Sequence, residues 1–151
     1  MAKFAEIDSG NVVLRVVQAC NDDVDNNGGE QSAQAASHFE KTIPLNPMGV
    51  KWVQTSFSGS FRKKLAHPGD VYNESLDMFV EAQPYSNFTL NSEGDWISPV
   101  GTPEDLDASG NFIARIWDEA NQKWVANCST PSDLSTATLE WNPSTSTWDA
   151  V

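Results

Sequence analysis

The C-terminal half of the chain repeats one short pattern four times. In each copy an aromatic residue or Leu precedes Asn or Asp, and a polar stretch then leads to a second aromatic residue. The copies begin at Tyr72, Leu90, Trp117 and Trp141, and the second is one residue shorter than the others. Asn and Asp favour the first position of a type I turn, because the side-chain oxygen accepts a nearby backbone N–H. The pattern therefore predicts four tight turns, each flanked by bulky apolar side chains.

The spacing of the rings predicts that each copy is an antiparallel β-hairpin. If Trp117 and Trp124 lie opposite one another, both indoles are on one face, and such a pair contributes about 0.2–1 kcal/mol. A left-handed residue is expected at the fourth turn position, which Gly94 and Asn121 occupy in their copies. An isolated hairpin is only marginally stable in water. The rings must therefore also pack on another hairpin, on the rest of the chain, or on a different protein.

The N-terminal half is predicted to be β-rich with one short helix. The segments KFAEID and NVVLRVVQA alternate as strands do and flank a turn at Ser9–Gly10, which indicates a hairpin. The segment Cys20–Glu30 has no periodicity and is expected to be a loop. Ala and Phe recur at helical spacing over residues 30–42, and Pro44 and Pro47 end that helix.

The predicted fold class is mainly β, in two parts. Residues 50–65 add two strands around Ser58–Ser60, so residues 1–84 form an N-terminal hairpin and small sheet with one short helix. Residues 85–151 form a C-terminal arm, which is a string of antiparallel β-hairpins. The connectors between these hairpins are rich in Pro, Ser, Gly and Asp, as is typical of surface loops.

The charge of the chain argues against several classes of partner. There are 21 acidic and 9 basic residues, which give a net charge of −12. Such a field repels nucleic acid and anionic lipid, and the only basic cluster, Arg62–Lys64, is too small to reverse it. No stretch approaches the roughly 18 apolar residues of a membrane-spanning helix, and the N-terminus lacks an apolar signal core. We therefore expect no nucleic acid partner, no membrane insertion and no export.

No arrangement of residues points to catalysis. Neither His38 nor His67 stands beside a nucleophile or a carboxylate in a known motif. Residues Asp23–Gly28, DVDNNG, match the first half of a calcium loop, but Gln34 stands where a bidentate Glu is expected. Calcium is therefore expected to bind weakly or not at all. The sequence predicts no enzyme, no cofactor and no metal site.

The rings of the hairpins are the candidate site. Large exposed apolar patches mark interaction sites, and Trp is a favoured residue at the centres of protein interfaces. Exposed rings can alternatively stack on the faces of sugars. The candidate protein-interface residues are Phe79, Trp96, Trp117, Trp124, Trp141 and Trp148.

Several segments resemble small virion-associated proteins of marine cyanobacterial tailed phages. The similarity is carried by the opening MAKFAEID and VVLRVV, by KWVQTSF, by FRKKLAHPGDVYNESLDMFVEAQPY, by FTLNSEGDWISPV, and by the closing W-N-x5-W. These segments follow in order along nearly the whole chain. The chain departs from the family's pattern at Asn46–Val50, where Gly-Gly is usual before the Trp, at His67, where Gly is usual, and in one additional C-terminal hairpin.

The resemblance implies a non-enzymatic structural protein of the phage particle. The family provides no active-site residues to transfer. We expect a head decoration or cement protein that docks on neighbouring subunits in many copies, with the major capsid protein or tail proteins as partners. Its location is then the virion, and the host cytoplasm during assembly. A tail or fibre accessory protein and a module that binds host glycans through exposed Trp are the alternatives.

Overall fold

Strands dominate the structure of the chain, as the sequence predicts. The computed structural model describes residues 1–105, 112–127 and 137–151. Its sheets are antiparallel and contain two to four strands. No helix in these three ranges is long and apolar enough to cross a membrane. The predicted fold class, mainly β with a short helix, is confirmed.

The chain divides into two compact units. The first comprises Met1–Pro84 together with Asn91–Asp95, and the second comprises Tyr85–Leu90 together with Trp96–Val151. Each unit contains apolar core residues of its own. The candidate interface residues are therefore divided, with Phe79 in the first unit and the five tryptophans in the second.

A three-stranded antiparallel sheet forms the centre of the first unit. Its strands are β1 (Ala2–Asp8), β2 (Val13–Ala19) and β3 (Gly49–Thr55), in the spatial order β2–β1–β3. Side chains alternate between the two faces of a strand, so the neighbours Phe4 and Ala5 of the middle strand enter different apolar clusters. The predicted N-terminal hairpin, β1 with β2, is confirmed.

Two helices cover one face of this sheet. They are α1 (Asn21–Asp25) and α2 (Ala33–Thr42). The ring of Phe4 on β1 stacks on Phe39 of α2 with centroids 4.4 Å apart. Phe39 also meets Trp52 of β3 edge to face, at 5.1 Å. These rings join one helix to two strands, so this face of the unit forms a single core.

The helical segments partly match the prediction. The helix expected over residues 30–42 is confirmed as α2, and it begins after Ser32, whose side-chain oxygen accepts the Ala35 N–H at 3.0 Å. The segment Cys20–Glu30, predicted to be a loop, contains α1. That helix buries Val24 against the sheet, and a single buried side chain is too weak a periodic signal to be read from sequence.

A hairpin covers the opposite face of the sheet. Its strands are β4 (Val71–Asn73) and β5 (Met78–Val80). Phe79 packs there in one buried cluster with Ile7 and Val53 of the sheet. The sheet of the first unit therefore lies between a helical layer and a hairpin layer, and both of its faces are covered.

One predicted strand is not formed. The sequence predicts two strands in residues 50–65, but only the first, β3, is present, and the chain bends after Thr55. Arg62 and Lys63 have φ values of 52° and 68°, a left-handed conformation that an extended strand does not contain. The Arg62 guanidinium donates to the backbone carbonyl of Gln54 at 2.8 Å. This segment is therefore a loop that its own side chains attach to β3.

A buried carboxylate fixes the loop that leads into β3. Glu6 of β1 is 0% exposed. Its oxygens accept hydrogen bonds from Arg15 of β2 and from the backbone and side-chain amides of Asn46. The Arg15 guanidinium also donates to the carbonyl of Pro44 at 2.9 Å. Since an unpaired buried charge costs about 3–5 kcal/mol, Glu6 holds these segments in one arrangement.

A second polar contact joins the hairpin of β4 and β5 to the loop that contains Arg62. The hydroxyl of Tyr72 on β4 donates to the Asp77 carboxylate, which also accepts the Arg62 Nε–H at 2.7 Å. Burial, and then the hydrogen bond to Asp77, raise the pKa of Tyr72 to about 12. Burial also raises the pKa of Asp77, but the bonds from Tyr72 and Arg62 outweigh it and hold that pKa below its usual value.

The second unit contains a two-stranded hairpin and a four-stranded sheet. Its strands are β6 (Thr89–Leu90), β7 (Trp96–Ile97), β8 (Ala114–Asp118), β9 (Lys123–Asn127), β10 (Leu139–Asn142) and β11 (Thr147–Ala150). β6 pairs with β7, and the larger sheet has the spatial order β11–β10–β9–β8. The last two predicted hairpins are therefore joined edge to edge in one sheet.

We predict that Gly49→Ala destabilises the first unit. A Cβ atom at this position would overlap Glu6 Oε1, so the buried carboxylate would have to leave its hydrogen-bond donors. Overpacking of this kind costs about 1–3 kcal/mol, which urea unfolding of the variant measures. Gly10→Ala is the control, because the nearest atom to its Cβ is Asp8 Oδ1 at 3.3 Å. Equal stability of the two variants would contradict the prediction.

We also predict that Tyr72 makes the free energy of unfolding fall in alkali. Its pKa is raised from 10.0 to about 12, so above pH 10 the unfolded chain releases a proton that the folded chain retains. The stabilisation is fully present below the unfolded pKa and is lost as pH rises through the folded one, with a slope of at most about 1.4 kcal/mol per pH unit. Urea unfolding at a series of pH values measures this slope. Tyr72→Phe should flatten it, and an unchanged slope would show that Tyr72 is not its source.

Candidate protein-docking surface

Four hairpins form where the sequence predicts them. In each, the two large side chains of the repeated pattern lie directly opposite one another. The pairs are Tyr72 with Phe79, Leu90 with Trp96, Trp117 with Trp124, and Trp141 with Trp148. The indoles of the last two pairs meet edge to face with centroids 5.2 Å and 5.5 Å apart, a favoured geometry for aromatic rings. Ring pairs that close hairpins thus explain the spacing of these tryptophans.

Each turn is held by its Asn or Asp side chain, as predicted. The side-chain oxygen accepts a backbone N–H within the turn in every copy, at donor–acceptor distances between 2.7 and 3.1 Å. The accepting residues are Asn73, Asn91, Asp118 and Asn142. These bonds satisfy N–H groups that a tight turn would otherwise leave to water. Local sequence therefore fixes where each hairpin reverses.

The predicted position of the left-handed residue is wrong in the three longer copies. The fourth turn position has a positive φ only in the short copy, where Gly94 has a φ of 77°. In the longer copies the fifth position is left-handed, at Asp77, Gln122 and Ser146, with φ values of 49°, 55° and 55°. Each longer loop has one more residue, so the residue that returns the chain to the second strand lies one position later.

Asp118 shows how one of these turns is stabilised. Its carboxylate accepts the side-chain amide of Asn121 at 2.7 Å and the backbone N–H of the same residue at 3.1 Å. These bonds, the side-chain bond first, lower the pKa of Asp118, because they favour the charged form. The stability they contribute is present above the ordinary pKa and is lost as pH falls through the lowered one. Asn121 therefore acts as a donor and not as the left-handed residue.

The two tryptophan pairs of the larger sheet form a row. Strands β9 and β10 pair through Leu139 with Ala126 and through Glu140 with Val125. One residue further along, the same register sets Trp141 beside Trp124. Because side chains directly opposite one another share a face, four indoles follow one another across the sheet. We name Trp117, Trp124, Trp141 and Trp148 the tryptophan row.

Burial divides the tryptophan row into two halves. Trp117 and Trp124 are only 3% and 8% exposed. Phe88 packs against both, with ring centroids at 5.2 Å and 6.0 Å. Trp141 and Trp148 are half-buried and pack at the margin of the same cluster. The row therefore runs from the interior of the second unit to its surface, and it ends at the edge strand β11.

The indole N–H groups follow the same division. Trp124 Nε1 donates to the hydroxyl of Ser98 at 3.0 Å and to the carbonyl of Gly101 at 2.9 Å. Trp148 Nε1 is shielded from solvent but has no hydrogen-bond partner among the described residues. A buried donor without a partner costs about 1–3 kcal/mol. The indole N–H of Trp148, at the outer end of the row, thus lacks a hydrogen bond, whereas that of Trp124, in the inner half, is bonded.

The predicted interface residues differ in what they contact. Phe79 is fully buried in the first unit, and Trp117 and Trp124 are buried in the second. These three rings stabilise the chain itself and are not on its surface. The half-buried Trp141 and Trp148 remain accessible in part. We therefore define the candidate docking surface as Trp141, Trp148 and strand β11.

Sequence reasoning missed two of the rings that cover the inner row. Tyr85 lies in a segment that reads as a connector, and Phe88 begins the second hairpin segment, yet Phe88 is buried and the Tyr85 ring centroid is 6.2 Å from that of Trp117. The half-buried Trp96 joins the same cluster. The available signal is an aromatic residue in a Pro- and Ser-containing connector, followed closely by a second one, because large rings next to a loop are usually buried.

The charge of the second unit is one-sided. It has eight acidic and two basic residues. Both basic side chains are paired, Arg115 with Asp105 at 2.7 Å and Lys123 with Glu140 at 2.5 Å. Most of the acidic residues are therefore left without a counter-charge from this unit. The candidate docking surface therefore lies in a unit of net negative charge.

The basic cluster of the first unit is neutralised by neighbouring acids. Arg62 pairs with Asp77, as described above. Lys63 Nζ lies 2.6 Å from Asp95 Oδ1, and Lys64 Nζ lies 2.9 Å from Asp70 Oδ1. All three cations of the cluster are therefore paired with carboxylates within the first unit.

The first half of the partial calcium motif is helical and does not form a loop. Asp23 lies in α1, and its backbone carbonyl accepts the Asn27 side-chain amide at 2.7 Å. Among the described residues, no group of three or more His, Cys, Asp or Glu side chains could hold a metal ion. The expectation of weak or absent calcium binding stays a prediction.

Comparison with known proteins adds no information on the site. No known protein family, no curated protein and no solved structure matches the chain.

We predict that the two ends of the tryptophan row differ in their effect on stability. Trp124→Ala removes a buried ring and its two hydrogen bonds and should cost about 3–5 kcal/mol. Trp148→Ala removes a half-buried ring and an unpaired N–H, and should cost less than about 2 kcal/mol. Chemical unfolding followed by tryptophan fluorescence measures both. Equal losses would mean that the row is uniformly buried.

Proposed function

We propose that the protein is a non-enzymatic structural protein of a phage particle, and that it docks on another particle protein through Trp141, Trp148 and β11. The observation that carries this proposal is the change of burial along the tryptophan row. The outer indoles leave apolar surface in contact with water, and burial of such rings is a common source of affinity at protein interfaces. A partner that covers them would complete the apolar cluster.

The sequence supports the assignment of the protein to a phage particle. The resemblance to virion-associated proteins of cyanobacterial phages extends over nearly the whole chain. Within the particle we favour a head decoration or cement protein bound to the major capsid protein. A net charge of −12 disfavours a position against packaged DNA, and a decoration protein sits on the outside of the shell. A tail or fibre position is the alternative, and a low copy number would distinguish it.

A glycan-binding role is less well supported by the geometry. Sugars stack on flat, accessible ring faces. The planes of Trp141 and Trp148 meet at 63°, so the two indoles do not form one flat platform. Their geometry is that of rings that pack on each other and on apolar protein side chains.

We predict that the double variant Trp141→Ala with Trp148→Ala is lost from particles. Truncation of a central interface Trp can cost about 2 kcal/mol or more, which corresponds to an affinity loss of about thirtyfold or more. The variant should leave the first unit folded, because both rings lie in the second. Particles assembled with it would be purified, and the copies per particle would be counted by quantitative mass spectrometry.

The matched control removes two exposed rings from other places. Phe57 and Phe112 are 74% and 66% exposed, and Phe57→Ala with Phe112→Ala should keep wild-type occupancy. Circular dichroism of both double variants separates loss of docking from loss of folding. Wild-type occupancy of the folded Trp141→Ala, Trp148→Ala protein would mean that these rings serve only their own hairpin, and docking through them would be rejected.

A further inference from the structure

Among the described residues, no strand pairs with the outer edge of β11. It is the last strand of the four-stranded sheet in the part of the chain that the structure describes. The Val151 N–H donates to the Thr138 carbonyl at 3.1 Å. A bond in this place flanks a non-hydrogen-bonded pair, here Leu139 with Ala150. The pattern alternates, so Ala150 and Trp148 direct their backbone N–H and C=O groups away from β10.

The two faces of β11 differ in chemistry. Trp148 lies on the face of the tryptophan row, and Ala150, two residues along, shares that face. Thr147 and Asp149 lie on the other face and are exposed. Asp149 accepts the Asn142 side-chain amide at 2.9 Å. A strand added at this edge would therefore meet an apolar ring on one side and a carboxylate on the other.

The charges around β11 identify the chemistry of the added strand. Glu140, in register with Asp149 on the neighbouring strand, is compensated by Lys123. Asp149 has no cation within ion-pair distance among the described residues. A basic side chain directly opposite a carboxylate stabilises a strand pair, whereas a second acidic side chain destabilises it.

We propose that β11 is the site of strand addition for a partner segment in which apolar and basic residues alternate. The apolar residues of the segment pack beside Trp148, on the face of the tryptophan row, and the basic residues lie beside Asp149. Backbone hydrogen bonds to the outward groups of Trp148 and Ala150 supply affinity, and the alternating side chains supply specificity. This inference rests on the proposed docking function and adds the conformation and charge of the partner.

A second copy of this chain is a poorer occupant of the edge. Antiparallel pairing of β11 with itself would place Asp149 near its own equivalent or beside the uncharged Thr147. Neither arrangement supplies a cation. The second unit has only two basic residues, and both are already paired. The charge therefore favours a different protein.

The test uses a peptide of about eight residues in which Val and Lys alternate, with capped ends. Calorimetry would measure its affinity for the full chain, and NMR would follow the indole N–H of Trp148. Ala150→Pro removes one outward N–H without removing a bond to β10, and proline is tolerated on edge strands. Ala150→Val keeps the N–H and is the matched variant. We expect Ala150→Pro to weaken binding at least tenfold relative to Ala150→Val.

The charge of the partner is tested separately. Asp149→Asn should weaken binding of the Val–Lys peptide severalfold and reduce its dependence on salt, since one ionic contact is lost. A peptide that alternates Val and Glu should not bind. Equal affinity of the Val–Lys and Val–Glu peptides would overturn the inference that the partner segment is basic. A dimer of the chain that Ala150→Pro dissociates would overturn it as well.

The outcomes separate this inference from the proposed function. If Ala150→Pro and Ala150→Val bind the peptide equally, or if neither binds it, strand addition is wrong. Docking would still stand in that case, provided that the Trp141→Ala, Trp148→Ala variant is lost from particles. If that variant instead keeps full occupancy while Ala150→Pro abolishes peptide binding, the edge binds strands but the proposed function fails.

Discussion

The pairing of two large side chains across a turn closed by Asn or Asp is the interaction on which most of this structure depends. In the first unit the pair Tyr72 and Phe79 supplies the layer that covers one face of the central sheet. In the second unit the pairs at Trp117 and Trp141 build the sheet and its apolar face. A pair alone contributes little, so its effect comes from repetition and from the second layer that each ring contacts. The same kind of ring pair therefore lies in the buried core at some positions and at the surface at others.

Carboxylate groups attach loops to the elements that the rings hold together. Glu6 attaches a loop to the sheet of the first unit, and Asp77 attaches another loop to the hairpin layer. In both places an arginine is the partner, Arg15 in one and Arg62 in the other. The basic residues of the chain are few, and most are consumed in such contacts. The charge left toward solvent is therefore mainly acidic.

The hairpins could be predicted from sequence because their causes are local. Residues six or seven apart determine the pair, and one Asn or Asp determines the turn, so neither requires knowledge of the rest of the fold. The strand expected after Ser60 does not form, and the helix α1 was not expected, because contacts outside each segment decide their structure. One such contact is the bond from Arg62 to Gln54. The depth of each tryptophan is also non-local. Trp117 is buried because Phe88 covers it, and nothing in the repeat itself distinguishes Trp117 from Trp141.

The paired strands of each hairpin are close in sequence, which has a consequence for synthesis of the chain. A β-hairpin closes in about 1–10 μs, whereas a ribosome adds roughly 5–20 residues per second, so each hairpin can form as soon as its second strand emerges. The first sheet cannot do so, because Glu6 bonds to a residue forty positions later and β1 lies between β2 and a strand that begins only at Gly49. Long-range closure of this kind is slower. During translation, β1 and β2 can therefore pair before β3 has been synthesised. The edge of β1 that later pairs with β3 stays exposed for the seconds that the ribosome needs to reach β3.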